Sequence, residues 1–567
     1  MTDMRRVLLK RTALNELADN KRITFTTAIA LVAIVAVAAY LRFAQLGVPS
    51  FWVDELNFVY AGKSIVAGEE PRFPSGNLNK RAMLYTESVG LSFRLFGVNE
   101  FGARFPSAVF GVLAVIAVFF IARDLFGRNV GLLSAFLLTF SHLCIGWSRL
   151  ARMYTMFQLL YLIGAYAFYK GFEGTTQFLD ASKRSWFNNV RSYFALEGIR
   201  WPWLIGSAVV LAVSFQVHEL TGIIAASVLA FIAGMAGVVL FTKSMKAAFT
   251  SKYALALGIG IFSFVISFIF VDPLGFVQRA VSFQPTWANY AYVQDSHYYY
   301  YFLTESSQFP LAAFFLLGCV HMLTRGSKAA FFVCCNFAVP VLLHSFAFAY
   351  KVPNYIFQVY PFFVMLAAYA LHNLYQDEKH RVQSAWQSLK KLFTPRVKQC
   401  LLVGMVFGWL PLTIWFCYSL KLPFMGTAGN NGAVDYDDWR EASAYVQAHA
   451  TNEQALVATL PLTLHHYLGK VDYNLNNANT DSTLDWQPGV LNGKPRDYYS
   501  GAEAITNFDE LQHMLAQHRE ALFVVDTYRF ERSQYVPTEV AHFVKSNMTR
   551  VWEDEKKTMK IFRWEGR

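Results

Sequence analysis

The chain repeatedly runs for about 20 residues without a charge, the length needed to cross a bilayer as a helix. Thr24 to Tyr40, Leu204 to Val217, Thr221 to Thr242 and Tyr253 to Val271 contain no Asp, Glu, Lys or Arg. Backbone groups inside lipid must bond within their own segment, so such blocks read as membrane-spanning helices. Only 16% of residues are charged, against about 25% in soluble proteins. The pattern predicts an α-helical polytopic membrane protein with about eleven spans. They fall near 23–44, 106–122, 129–147, 153–170, 202–217, 220–241, 253–271, 309–323, 329–349, 355–373 and 399–418.

The net charge of +11 sits between the apolar blocks rather than on one soluble face, so it reports topology and argues against a nucleic-acid partner. With the N-terminus in the cytoplasm, the cytoplasmic connections hold most of the Lys and Arg, including Arg5, Arg6, Lys243, Lys246, Lys390 and Lys391. The positive-inside rule favours that orientation. Residues 1–22 then form a cytoplasmic segment, and the first apolar block, with no small-residue cleavage pattern after it, reads as a retained span. The first outward loop covers about 45–105 and the membrane domain 23–422. An odd number of spans leaves 423–567 outside. There the apolar runs shorten: Ala455 to Thr459 and Ala521 to Val525 read as buried strands, and Trp439 to His449 and Asp509 to His518 as amphipathic helices. That alternation predicts an outward-facing α/β domain, periplasmic in a bacterial inner-membrane protein. All six cysteines lie in or beside apolar segments with no CxxC spacing, and read as packing residues.

This topology puts the unusual polar residues on one membrane face. The first outward loop carries Asp54 and Glu55 directly after a span, then Lys80 and Arg81. Later outward turns add Arg149, Arg152 and Tyr154, then His218 and Glu219, then His297, then Lys351 and Tyr355. Ionisable residues at a membrane boundary mark functional cavities when they gather. Each also has a structural role open to it. Asp54 and Glu55 can be a solvated cap, the arginines can snorkel, and Tyr298 to Tyr301 can form an interfacial aromatic belt.

Together the residue types suit a sugar carried on a lipid phosphate. Phe-rich spans offer a groove for an apolar tail; Lys80, Arg81, Arg149, Arg152 and Lys351 offer cations to a phosphate, which arginine can bind bidentately. An incoming hydroxyl needs a base, for which Asp54 is the candidate. A phosphate leaves without a general acid, so one base suffices for inversion. No cofactor signature is present; His218 and Glu219, with Glu55, are the residues that could hold a divalent metal.

At these residues a resemblance emerges. Phe51-Trp-Val-Asp-Glu, Asn79-Lys-Arg-Ala-Met-Leu-Tyr and Leu95-Phe-Gly-Val-Asn-Glu-Phe-Gly-Ala-Arg-Phe-Pro-Ser-Ala resemble the first loop and second span of the GT-C superfamily. The similar branch holds the protein O-mannosyltransferases and the lipid A aminoarabinose transferases. Lys351-Val-Pro-Asn-Tyr-Ile-Phe-Gln-Val-Tyr-Pro resembles that branch's entry to a late span. The resemblance covers roughly 20–420. It implies Asp54 as the catalytic carboxylate, with Glu55 beside it, and Lys80 and Tyr355 at the donor phosphate. The chain departs from the pattern in having Lys80-Arg-Ala where a K-P-P run is usual, no acidic residue after the second-turn arginine, and Asn354 where Arg is common.

The expected activity is transfer of a sugar from a polyprenyl-phosphate donor to a glycan, lipid or protein acceptor on the outer face. The alternatives are a transporter or flippase for the same lipid, or a non-catalytic subunit of a glycan assembly complex. A transporter would place its charges near the midplane, often in paired repeats; here they lie at one face and no repeat is visible.

Overall fold

The computed structural model describes residues 22–174, 198–270, 295–304, 308–349, 351–389, 437–475, 490–491, 494–533 and 535–566, with Gly275 and Gln278. Its first part is a helical membrane bundle: α1 (Phe25–Phe43), α2 (Leu56–Ala67), α3 (Met83–Phe96), α4 (Glu100–Phe126), α5 (Arg128–Thr139), α6 (His142–Ser148), α7 (Tyr154–Phe172), α8 (Trp201–Val217), α9 (Ile223–Thr242), α10 (Lys252–Phe270), α11 (Tyr298–Thr304), α12 (Phe309–Arg325), α13 (Lys328–Phe346) and α14 (Tyr360–Leu389). Every expected span but the last is helical here; 399–418 lies outside the described residues. By length and hydropathy alone, four helices among the described residues can cross a membrane, or six if each bent pair is one span.

The departures have local causes. The 129–147 span is two helices bent by 62°, broken at Phe140 and restarted by the Ser141 side chain, which caps α6 through the Cys144 amide. α4 starts at Glu100, before the expected boundary, because Asn99 caps it by accepting from Gly102 N at 2.8 Å. The span expected from 355 starts at Tyr360, behind two short 3₁₀ turns that begin at Pro353. The first loop contains two helices, α2 and α3, that lie between the spans α1 and α4.

The C-terminal part contains α15 (Trp439–His449), α16 (Pro461–Leu468), α17 (Phe508–Gln517) and α18 (Thr538–Asn547) around a six-stranded sheet. The strands are β1 (Ala455–Ala458), β2 (Tyr473–Asn474), β3 (Glu503–Ala504), β4 (Glu520–Asp526), β5 (Thr549–Glu553) and β6 (Met559–Glu565), in the order β3-β2-β1-β4-β6-β5. The first four run parallel and the last two add antiparallel. Alternation along β4 explains the two-layer cover: Ala521, Phe523 and Val525 pack into one apolar cluster, Leu522 and Val524 into the other.

This part docks on the first loop. Glu100, at the start of α4, accepts from Tyr467 at 2.8 Å and pairs with Arg440. Tyr60 on α2 meets His465 Nδ1 at 2.7 Å, Phe51 N donates to the Tyr467 hydroxyl at 3.0 Å, and Asn77 donates to Tyr498 O at 2.8 Å.

The loop itself is held by a buried ion pair. Arg104, on the second turn of α4, donates Nε to Glu55 Oε1 at 2.8 Å and a terminal nitrogen to Oε2 at 2.7 Å, with side-chain exposures of 1% and 0%. The remaining guanidinium hydrogens go to the carbonyls of Leu46, Pro49 and Ser50. Glu55 also accepts from Trp52 N at 2.9 Å and Ala151 N at 2.7 Å. All four acceptor positions of the carboxylate are filled, so burial carries no unpaired charge.

Removing one partner of such a pair costs about 3–5 kcal/mol, because the other is left buried and alone. Arg104→Met is therefore expected to lower the thermal midpoint of the detergent-purified protein by several degrees. Adding Glu55→Gln to it should recover part of the loss, and an unchanged midpoint in Arg104→Met would show that the pair does not hold the loop.

Candidate active site

Asp54 sits in a 3₁₀ turn, Val53–Glu55, directly before α2. Its position follows from its neighbour: Glu55 turns inward to Arg104, so Asp54 turns to the other side, where its carboxylate is 41% exposed. Arg152 fixes it, with NH1 3.2 Å from Asp54 Oδ2 and 3.0 Å from Asp54 O. The other carboxylate oxygen, Oδ1, has no partner among the described residues.

Arg152 is buried, and its guanidinium lies 5.8, 5.7 and 5.4 Å from the Trp52, Phe58 and Tyr154 rings. Burial works against its charge, but Asp54 and Tyr154 outweigh that and hold its pKa above the usual arginine value. Its backbone is fixed from α4, where Ser107 Oγ donates to Arg152 O at 2.9 Å. Among the described residues its Nε is buried without a partner.

Around Asp54 and Arg152 the structure gathers Arg81, Tyr154, His218, Glu219 and Tyr355. The Tyr154 hydroxyl accepts from Asn354 at 2.6 Å and from Arg152 at 3.4 Å. Burial raises the pKa of the Tyr355 hydroxyl; the charges that reach it are those of Tyr154, Arg81, Glu219 and Arg152. His218 stacks on Phe157 at 4.9 Å and accepts from Leu220 N on Nδ1 at 3.2 Å. Burial, then Arg81 and Arg152, push it down to about 3, so it is neutral at physiological pH. Lys80 and Arg81 are exposed on the turn before α3, where Asn79 ties the chain to Asn57 O at 2.6 Å. Lys80 lies 3.9 Å from Glu70. The next residue, Ala82, has φ +47°. Proline is locked near −65°, so this turn cannot carry a proline there, which accounts for the departure from the K-P-P pattern.

Three expected site residues lie elsewhere. Arg149 donates to the carbonyls of Leu41, Arg42 and Ala44, closing the end of α1. The Lys351 ammonium folds back on Phe348 O and Ala349 O, just past α13. His297 is exposed beside Asp295, at 3.4 Å. Both cations sit where the negative end of a helix dipole favours them. The sequence reading did not find Arg104, His344 or Tyr499. His344, on α13, is fully buried, has a ring 5.6 Å from that of Tyr355, and has no partner for either nitrogen among the described residues. Its only sequence signal was a lone His in an apolar helix. Tyr499 belongs to the C-terminal part and meets the first loop at Phe73 and Ser75, a contact that nothing in the sequence signals.

The residues do not fit a metal. Among the described residues no group of three His, Cys, Asp or Glu could hold one. His218 uses Nδ1 on a backbone amide, and the strongest charges on it are two guanidinium groups, which oppose a further cation. No step through a metal follows from them.

Comparison with known proteins places the fold. Residues 82–180 match the family model described as dolichyl-phosphate-mannose-protein mannosyltransferase. An uncharacterised protein of Aquifex aeolicus (strain VF5) is 32% identical over 145 residues, which are 24% of this chain and 29% of that protein. The chain thus spans under a third of the length of the curated relative it matches. Among solved structures, ArnT from Cupriavidus metallidurans, bound to undecaprenyl phosphate, superposes with a TM-score of 0.53 at 15% identity, over 94% of this chain and 97% of that one. AglB, the oligosaccharyltransferase of Archaeoglobus fulgidus, in complex with an inhibitory peptide and a dolichol-phosphate, gives 0.55 at 11% identity, over 95% of this chain and 74% of that one. The long match to both and the family-model match over 82–180 agree on one architecture: the chain has the GT-C membrane fold, with a C-terminal sheet region.

Proposed function

We propose that the protein transfers a sugar from a polyprenyl phosphate to an acceptor on the Asp54 side of the membrane, with inversion and with Asp54 as the base. The observation that carries this reading is the Asp54 carboxylate itself: anchored through one oxygen by a buried arginine, open at the other, and half exposed among cations. The names of the similar proteins agree with a lipid-phosphate donor, since one is bound to undecaprenyl phosphate and another to a dolichol-phosphate.

The chemistry is a single displacement. The acceptor oxygen attacks the anomeric carbon and its proton passes to Asp54 Oδ1. The bond from that carbon to the phosphate oxygen breaks, and the electron pair leaves with the polyprenyl phosphate. Negative charge grows on the departing phosphate, so cations placed for it stabilise the transition state more than the ground state. Lys80 and Arg81 are exposed and able to reach a ligand, and the buried charge of Arg152 lies beside Asp54. Glu55 and Arg104 act through Asp54, as positioning residues. Arg149 and Lys351 are engaged on helix-end carbonyls and are not assigned to the phosphate. In the cell the protein is expected in the bacterial inner membrane, with its N-terminus cytoplasmic and 423–567 periplasmic.

Two measurements test the reading. Purified protein incubated with a panel of polyprenyl-phosphate sugars and an envelope extract as acceptor source should release free polyprenyl phosphate, seen by mass spectrometry. Asp54→Asn should reduce that release at least a hundredfold, a size usual for loss of a general base, with an unchanged melting profile; normal turnover in D54N would remove Asp54 as the base. Arg81→Ala should weaken binding of undecaprenyl phosphate by about tenfold or more, as expected for loss of a charge-assisted hydrogen bond. Equal affinity in the variant would take Arg81 out of the phosphate site.

A further inference from the structure

The tyrosine run 298–301, which the sequence offers as an interfacial aromatic belt, is divided by the structure. Tyr300 and Tyr301 are 62% and 60% exposed, as a belt requires, whereas Tyr299 is fully buried. A helix turns about 100° per residue, so α11 can face one tyrosine of the run inward while its neighbours stay outside.

What Tyr299 meets inside is backbone. Its hydroxyl donates to Val352 O at 2.9 Å and accepts from Val352 N at 3.2 Å. Val352 is buried and extended, with φ −148° and ψ 152°, as a residue before proline is expected to be. It lies in the connection past α13, outside any helix or strand, where buried backbone groups still need partners. A phenol hydroxyl both donates and accepts, so one side chain serves both groups.

Val352 O is also where the next turn closes, since Tyr355 N donates to it at 3.1 Å. Inside that turn Asn354 donates to the Tyr154 hydroxyl at 2.6 Å, and the Tyr154 hydroxyl accepts from Arg152, the residue that holds Asp54. At the far end of the turn the Gln358 side chain donates to Tyr355 O at 2.9 Å. The His344 ring lies 6.1 Å from that of Tyr299 and 5.6 Å from that of Tyr355. Direct contacts therefore run from Tyr299 through Val352 to Tyr355 and to the wall of the site.

We infer that Tyr299 is a positioning residue, its hydroxyl fixing the 352–355 turn and so presenting Tyr355 to the donor phosphate. It acts through Val352. The inference rests on the transfer reading given above, with Tyr355 beside the donor, and it concerns the donor half of the site. Arg152 and Glu55 are held from α4, by Ser107 and Arg104, so the acceptor half does not depend on the turn.

The test uses full-length protein in nanodiscs. Undecaprenyl phosphate is titrated as the donor-side probe, and turnover of the polyprenyl-phosphate sugars is followed with increasing envelope extract as acceptor source. Tyr299→Phe removes only the oxygen. It should weaken undecaprenyl phosphate binding about tenfold, the size of a lost buried hydrogen bond, while the half-saturating amount of extract stays within about twofold. Tyr355→Phe should weaken the same binding, and Tyr300→Phe, on the exposed side of α11, should change neither quantity. The inference is overturned if Tyr299→Phe binds undecaprenyl phosphate like the wild type while Tyr355→Phe does not. It is also overturned if Tyr299→Phe weakens donor and acceptor equally, the mark of a general packing defect. Wild-type binding in Tyr355→Phe would remove Tyr355 from the donor phosphate and this inference with it. A wild-type protein that neither binds undecaprenyl phosphate nor consumes any donor removes the transfer reading itself, and is recognised without any variant.

Discussion

A carboxylate and a guanidinium, both out of reach of water, hold the architecture of the Asp54 face. Glu55 and Arg104 come from opposite ends of the first loop, and their pairing draws the start of α4 onto the turn that precedes α2. In a low-dielectric interior the two charges are tolerated only because every lone pair and every N–H is matched. Five of the matches are backbone groups: Leu46 O, Pro49 O, Ser50 O, Trp52 N and Ala151 N. One ion pair thus fixes three strands of chain. Asp54 gains its position from this, since the neighbour of an inward-turned residue in a tight turn must face elsewhere.

The same logic of buried polar groups separates the cations. Arg149 and Lys351 satisfy carbonyls at the ends of α1 and past α13, groups that would otherwise be orphaned at a helix terminus. Arg152 is buried, yet its partners are the Asp54 carboxylate and its own aromatic surround. Lys80 and Arg81 are exposed and close to the mouth. A cation already engaged on several carbonyls has little to offer a phosphate. A cation that is charged, fixed and incompletely paired is ready for one.

The sheet region adds a second constraint. Its contacts with the first loop are polar and specific: Glu100 with Tyr467 and Arg440, Tyr60 with His465, and the 498–501 turn with residues 73–77. Glu100 opens the same helix that carries Arg104, so docking of the sheet region and closure of the first loop meet at the start of α4.

The sequence by itself determined the class of molecule and the face on which chemistry could occur. Charge-free blocks of membrane length leave only helices as a solution, because lipid offers no partner for backbone groups, and the positions of α1, α4 to α10 and α12 to α14 follow from the apolar blocks. Alternation along Ala521 to Val525 was enough to expect a buried strand. Asp54, Arg81, Arg152, Tyr154, His218, Glu219 and Tyr355 were readable, together with Glu55, Lys80, Arg149, His297 and Lys351, because all are polar residues gathered on the outward loops and turns. Tertiary structure decided what local patterns cannot carry. Glu55 and Asp54 are adjacent and chemically alike, and only the distant Arg104 tells which one is buried. Arg149 and Arg152 are one helical turn apart in sequence, and only the carbonyls of α1 show that one of them is already engaged. Tyr499 lies several hundred residues from Phe73 and Ser75, and its contact with them depends on a glycine turn meeting a loop from the other end of the chain. Hydrophobic period is a property of neighbours along the chain, whereas hydrogen-bond satisfaction is a property of neighbours in space, and the site is made of the second.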